Sequence, residues 1–149
     1  MSDDQDDQAG PPPVDRHLVG SFLASLKRCL AVSGFMEGFY QSFVGSSEEV
    51  REKFRNTDLQ RQAQMLSDSL YALAVAAQGQ EGSFAWGDMP RLAARHSRKD
   101  LDIRPALYDH WLACLLDTAR RHDPQFTPEI EAAWQATLEM GIEYMKSRY

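Results

Sequence analysis

The chain has 149 residues, of which 43% are hydrophobic, and its formal net charge is −6. These values are typical of a single globular domain that is large enough to bury a core without disulfide bonds. The longest apolar run, residues 70–77, is too short to cross a membrane, and no secretory signal opens the sequence. We therefore expect a cytoplasmic protein in which Cys29 and Cys114 are reduced.

The first 14 residues differ in composition from the rest of the chain. They contain four aspartates and a run of three prolines at 11–13, with almost no apolar side chain. Such a segment predicts a disordered acidic tail over residues 1–14, followed by one domain over residues 15–149. Without the tail the domain is nearly neutral and has no basic stripe, which argues against a nucleic-acid partner.

Helix-forming residues dominate the domain. The sequence contains 17 alanines and 15 leucines against 13 valines, isoleucines and threonines together, and apolar positions recur every three or four residues. The first helix is predicted from Asp15 to Leu30. Ser33 and Gly34 separate it from a second helix that ends near Gly45.

Capping residues predict where the next two helices begin. Ser46 or Ser47, followed by two glutamates, caps a short helix that ends near Phe54. Residues 56–58 then cap a long helix that continues to about Ala77.

Three further helices are predicted after a loop over residues 79–87. The first has Pro90 in its opening turn and ends by Lys99, and the others begin at Pro105 and at residues 127–129. Seven helices with short connections favour an all-α fold that is not a simple bundle.

Among the four histidines, His96 is the strongest candidate for a ligand. It lies on the apolar face of its predicted helix, one turn after Leu92. A histidine in such a position is more often an ordinary core residue. No second ligand stands at a spacing that would build a zinc site, but a single histidine can hold a haem, which supplies four in-plane ligands itself.

The sequence has no nucleophile motif, glycine-rich phosphate loop or CxxC pair.

Several segments, in the right order over about residues 16–147, resemble the globin superfamily. Phe39 with Tyr40, together with residues 56–58, is most similar to bacterial sensor-type and single-domain globins. The resemblance implies the three-over-three helical sandwich, with a short or absent helix between Phe54 and Asp58. The segments are residues 92–96 with Ile103 and Pro105 (the proximal helix and the start of the next), residues 52–54 (the corner whose phenylalanine stacks on the haem), residues 56–62 with Met65 and Leu66 (the distal helix), and residues 133–145 (the last helix).

The resemblance also implies roles for individual residues. His96 would bind the iron of a haem b, with its second ring nitrogen oriented by a carbonyl or hydroxyl one turn earlier, and the Leu92 carbonyl is in range. Tyr40 first and Gln62 second would donate hydrogen bonds to bound O₂. Tyr40 could instead be a core aromatic with its hydroxyl bonded to the backbone, and Gln62 could face solvent. Further haem contacts are expected from Phe43, Phe54, Met65, Leu66, Leu92, Arg95, Ile103, Leu107 and Trp111, and propionate partners from Arg55, Arg61, Arg98 and Lys99.

Three functions remain open at this point. The favoured one is reversible binding of O₂, and also of CO and NO, for gas sensing or transport, with five-coordinate ferrous iron because no distal histidine is present. The second is a haem enzyme, such as an NO dioxygenase or a peroxidase-like enzyme, that uses a separate reductase, and the third is a haem-free interaction domain. A sensor would need a separate signalling partner or a homodimer through the last two helices, on whichever of Trp111, Trp134, Ile142, Tyr144 and Met145 face outward.

Overall fold

A computed structural model describes residues 13–78 and 84–149, with side chains from residue 89 onward in the second range. This part of the chain is helical apart from turns and short connections and contains no β-strand, so the predicted all-α class is confirmed. Residues 54–58 form turns and no helix, as expected. The helices are α1 (Arg16–Ala31), α2 (Phe35–Val44), α3 (Glu48–Lys53), α4 (Leu59–Ala77), α5 (Phe84–His96), α6 (Pro105–His122) and α7 (Pro128–Ser147).

The beginning of the domain lies slightly earlier than the sequence indicated. Val14 packs against the core, and its N–H donates to the Ala77 carbonyl at the end of α4, at 2.7 Å. Val14, which we had assigned to the tail, therefore contacts the helices. Pro13 is exposed, and residues 1–12 of the predicted tail lie outside the described residues.

Four helices begin at side chains that cap them. Asp15, Ser47, Asp58 and Thr127 each accept a backbone N–H of the first turn that follows, at 2.8 to 3.2 Å. Each bond satisfies a donor that has no partner within the helix. These starts agree with the caps predicted from the sequence.

The start of α5 was predicted wrongly. The helix begins at Phe84, so residues 84–87 are helical, whereas we expected a loop as far as residue 87. The prediction relied on the preference of proline for the first turn. Pro90 instead lies inside the helix, where it removes one hydrogen bond without preventing the preceding turn from being helical. Residues 79–83 of the predicted loop lie outside the described residues.

The core is centred on α7, which packs against α1, α4 and α6. Trp134 is completely buried and meets the Phe22 ring edge to face at 4.8 Å. At Gly141 the helices approach so closely that an added Cβ would lie 2.3 Å from Leu73 Cδ2, which explains the absence of a side chain there.

The burial of α7 bears on the expected homodimer. Trp134, Ile142 and Met145 are core residues and cannot form an outer surface. Only Trp111 and Tyr144, both half-buried, remain from the proposed set. The homodimer stays a prediction, on a smaller surface than the sequence suggested.

None of the helices in the described ranges combines the length and the hydropathy that a membrane span requires. Taken together, α1 and α2 meet both criteria, but their axes are bent by 97°.

A buried polar network joins α1 to the end of α6 and to α7. Asp123 accepts two hydrogen bonds from the Arg28 guanidinium, at 2.7 and 2.9 Å, and one from Ser25 Oγ at 2.6 Å. Ser25 in turn accepts from Trp134 Nε1 at 2.9 Å. Burial alone would raise the pKa of Asp123, but the bonds from Arg28, Ser25 and the Gln125 N–H outweigh it, so the pKa lies below its usual value.

Replacing Asp123 by asparagine should destabilise the fold by about 2–3 kcal/mol, because it leaves the partly buried Arg28 charge without its counter-ion. Urea unfolding at pH 7 measures the difference. The carboxylate stabilises fully above its unfolded-state pKa, near 3.8, and this contribution is lost as the pH falls through the lower folded-state pKa. The difference in the free energy of unfolding between Asp123→Asn and the unaltered protein should therefore become smaller below about pH 4.

Asp117→Asn is the matched control, because this aspartate is exposed and pairs with Arg121 on the surface of α6. It should change stability by less than about 0.5 kcal/mol. Equal effects of the two substitutions would show that the network does not carry the stability we assign to it.

Candidate functional site

The imidazole of His96 is tied to its own helix. Nδ1 lies 2.8 Å from the Leu92 carbonyl oxygen, one turn earlier, which is the contact that the spacing allowed. Because a carbonyl only accepts, Nδ1 carries the proton and Nε2 keeps its lone pair. Burial also lowers the pKa of His96 and so favours the neutral ring. A neutral imidazole with a fixed tautomer is the form that binds a metal.

The apolar residues predicted to accompany His96 lie on α5, on the loop after it and on α6. The Ile103 N–H donates to the His96 carbonyl at 2.9 Å, so Ile103 is held next to the histidine. Leu107 is buried, and Leu92, Ile103 and Trp111 are half-buried against the core. The predicted contact Arg95 instead makes an ion pair with Asp100 at 2.9 Å.

A second group of predicted site residues belongs to a cluster of aromatic rings on α2 and at the end of α3. The half-buried Phe54 lies at 5.7 Å from Phe43 and 5.9 Å from Tyr40, measured between ring centroids, and Phe39 lies 5.0 Å from Tyr40. The three contacts are edge to face, the arrangement that aromatic rings prefer. They fix Tyr40 and Phe54, two predicted site residues, next to each other.

The Tyr40 hydroxyl reaches α4. It donates to the Gln62 backbone carbonyl at 3.1 Å, and the side chain is only 4% exposed. Burial raises the pKa of Tyr40, so the hydroxyl stays protonated and remains a donor. The structure thus brings the two predicted donors together, while the Tyr40 hydroxyl makes the backbone bond that the sequence left open as an alternative.

The other predicted residues of α4 differ in burial. Leu66 is buried and Gln62 is half-buried, so Gln62 is not simply a solvent-facing residue. Met65, in contrast, is 52% exposed.

The candidate propionate partners are spread over the surface. Arg55 pairs with Glu52 at 3.2 Å, and the Arg98 guanidinium lies over the Tyr149 ring, 4.8 Å from its centroid. Arg61 and Lys99 are exposed and make no ion pair with a described residue.

Two contacts that the sequence did not predict join α3 to the chain around α6. Lys53 Nζ donates to the Leu101 carbonyl at 2.9 Å, and Arg104 makes a two-pronged ion pair with Glu49. They connect the corner that carries Phe54 to the loop that follows His96. Both pairs are about 50 residues apart in sequence, so no local pattern could have indicated them.

A groove of about 940 Å³ that we did not predict borders Tyr40 near the corner between α1 and α2. Leu59, the first residue of α4, is 42% exposed and forms one wall. The first buried leucine of this helix is Leu66, two turns later. The other apolar walls include Leu30, Val32, Phe35, Met36 and Ala63.

The sequence profile of the Globin family matches residues 23–143. The chain belongs to the globin family. The globin is also similar to a Pseudomonas aeruginosa protein whose crystal structure is described as structurally highly homologous to human haemoglobin. The two share 37% identity with a TM-score of 0.83, over 89% of this globin and 98% of the other chain. The predicted globin fold is thereby confirmed, whereas no curated protein sequence matches this globin.

Membership of this family implies a haem cofactor, and the residues of this globin fit one. Within the described ranges, no three histidine, cysteine or carboxylate side chains are grouped to hold a metal ion. Haem iron brings four in-plane ligands, so a single histidine such as His96 would be enough to hold it. The predicted contacts also include buried and half-buried apolar and aromatic side chains, the kind that suits a flat, apolar ring.

Proposed function

We propose that this globin binds O₂, and also CO and NO, reversibly at a haem b held by His96, and that it is a gas-binding protein rather than an enzyme. The observation that carries the proposal is the bond between His96 Nδ1 and the Leu92 carbonyl, which leaves the lone pair of Nε2 available for a metal. When bound, haem supplies an iron atom that coordinates diatomic gases.

The proximal side chains orient the ligand and exclude water. The Leu92 carbonyl holds the ring of His96 in one tautomer and makes Nε2 a better donor of electron density. His96 itself is largely removed from water, and this burial lowers the pKa of its ring. This keeps the imidazole neutral at the pH of a cell.

On the distal side, Tyr40 and Gln62 supply hydrogen-bond donors in a largely buried place. A ligand whose outer atom carries partial negative charge gains from such donors, and a less polar ligand gains little. The Tyr40 hydroxyl would exchange its bond to the Gln62 carbonyl for one to the gas. We therefore propose that the pocket retains O₂ selectively over CO.

An absorption spectrum of the protein reconstituted with haem tests the proposal. We expect a Soret band at one haem per chain, a five-coordinate ferrous spectrum after reduction, and a stable spectrum under O₂. Absence of haem uptake would contradict the proposal and leave a protein-interaction module. Rapid oxidation under O₂ would favour redox chemistry with a separate reductase.

A further inference from the structure

The groove at the corner between α1 and α2 has the size of a small-molecule site. Its volume of about 940 Å³ falls in the range of about 300–1,000 Å³ that ligand pockets occupy. Val32 and Leu59, which both line it, are 39% and 42% exposed, so apolar side chains of the groove face water. Covering such side chains with an apolar group is favourable. The groove can therefore hold an apolar chain.

The apolar lining of the groove is concentrated at one end. Residues 30–36, from the end of α1 to the first turn of α2, contribute four apolar side chains to it. The C-terminal end of α2 contributes Gln41, Val44 and Gly45 instead, and Arg51 follows on α3. The groove thus has an apolar end at the turn between α1 and α2 and a more polar end toward α3.

Two charged side chains line the groove and have no partner among the described residues. Glu37 lies in the first turn of α2 and Arg51 in the last turn of α3, and neither side chain makes an ion pair or a hydrogen bond with a described residue. Glu37 stands eight residues before Gly45, the cap of α2, which is about 12 Å along a helix axis. The planar guanidinium of Arg51 can donate two parallel hydrogen bonds to a carboxylate, whereas Glu37 would repel one. The two charges therefore favour a ligand with a single carboxylate, placed at the α3 end.

We propose that the groove binds a long-chain monocarboxylate, with the carboxylate on Arg51 and the chain over Val32 and Leu59 toward the turn between α1 and α2. The site goes beyond the proposed gas site, because it uses neither His96 nor haem. Tyr40 also lines the groove, so the bound chain would lie beside the residue that we propose as a donor to O₂. Glu37 would exclude ligands that carry a second carboxylate at the far end of the chain.

Calorimetric titration of the full chain with sodium dodecanoate, kept below its micelle concentration, tests the proposal. We expect one saturable site per chain. Arg51→Gln should weaken binding about threefold to tenfold, because the carboxylate loses a hydrogen-bonded ion pair. Arg16→Gln is the matched control, since it removes the same charge from an exposed position at the start of α1 that does not line the groove. It should leave the affinity unchanged.

A second pair of variants tests the apolar wall. Leu59→Ser should weaken dodecanoate binding about fivefold, because the chain covers less apolar surface. Val75→Ser is the matched control, since Val75 is 38% exposed on the same helix and does not line the groove. Both positions are exposed, so both variants should keep the helical content of the unaltered protein, which circular dichroism checks.

Two further probes test the arrangement of the charges. Dodecanedioate, which has a carboxylate at each end, should bind about threefold to tenfold more weakly than dodecanoate, and Glu37→Gln should reduce this difference. Dodecylammonium should also bind more weakly than dodecanoate, because a head group on Glu37 would direct its chain away from the apolar end. Tighter binding of dodecylammonium than of dodecanoate would overturn the proposal.

The same titrations with and without bound haem separate this proposal from the proposed function. The affinity and the effect of Arg51→Gln should be the same in both forms. If the unaltered chain takes up no haem, the proposed function fails, and the titration of the haem-free chain still decides on the groove. Absence of saturable binding, or equal affinities of Arg51→Gln and Arg16→Gln, would overturn the monocarboxylate site. So would a mass that rises with protein concentration and is lost in Leu59→Ser without any dodecanoate binding, since a second copy of the chain would then cover the groove.

Discussion

His96→Ala should take up haem at least about a hundredfold more weakly than the unaltered protein. Changing a group that merely orients a metal ligand already costs about 10–100-fold in affinity, so loss of the ligand itself should cost more. A haem titration followed at the Soret band measures the affinity.

His110→Ala is the matched control, because His110 is an exposed histidine on α6. It should bind haem as the unaltered protein does. Imidazole added to His96→Gly should restore the band by filling the vacated space, which separates the ligand role from a folding role. A stoichiometric Soret band in His96→Ala would contradict the assignment of the proximal ligand.

Tyr40→Phe should release O₂ about tenfold to a hundredfold faster, with a much smaller change for CO. The substitution removes only the hydroxyl, so the ring contacts with Phe54 and Phe39 remain. A hydrogen bond to a charged or strongly polar partner contributes about 1–3 kcal/mol, and each 1.4 kcal/mol is a factor of ten. Stopped-flow displacement of O₂ measures the rate. Because burial raises the pKa of Tyr40, the effect should be the same from pH 6 to 9.

Tyr71→Phe is the control, because Tyr71 is 42% exposed on α4. It should leave the rate of O₂ release unchanged. If Tyr40→Phe behaves like the control while Gln62→Leu releases O₂ faster, Gln62 is the donor and Tyr40 a core residue. If neither substitution changes the rate of O₂ release, neither side chain donates a hydrogen bond to the bound gas.

The features that could be predicted from the sequence are those set by near neighbours. The caps at Ser47 and Asp58 act on backbone groups within three residues, and the bond between His96 and Leu92 spans one helical turn. The start of α5 was missed because we used Pro90 to place the first turn of the helix. A proline can also lie further inside a helix, so it does not mark the residue at which the helix begins.

The features that escaped prediction depend on distant parts of the chain. Tyr149 meets Asp102 across 47 residues, and Tyr40 meets the Gln62 backbone across 22. Neither contact follows from the spacing of residues along one helix. Leu59 is a leucine in a helix whose later leucines are buried, yet it is 42% exposed and lines the groove.

The network around Asp123 also has a consequence for the order of folding. Ser25 meets Asp123 across 98 residues and Trp134 across 109, so these bonds cannot form before the two ends of the domain have met. Contacts between residues so far apart in sequence slow folding, because a long loop must close before they form. If these bonds form after the transition state, they slow unfolding and leave the folding rate nearly unchanged. In that case the network keeps the first helix docked once the chain has folded.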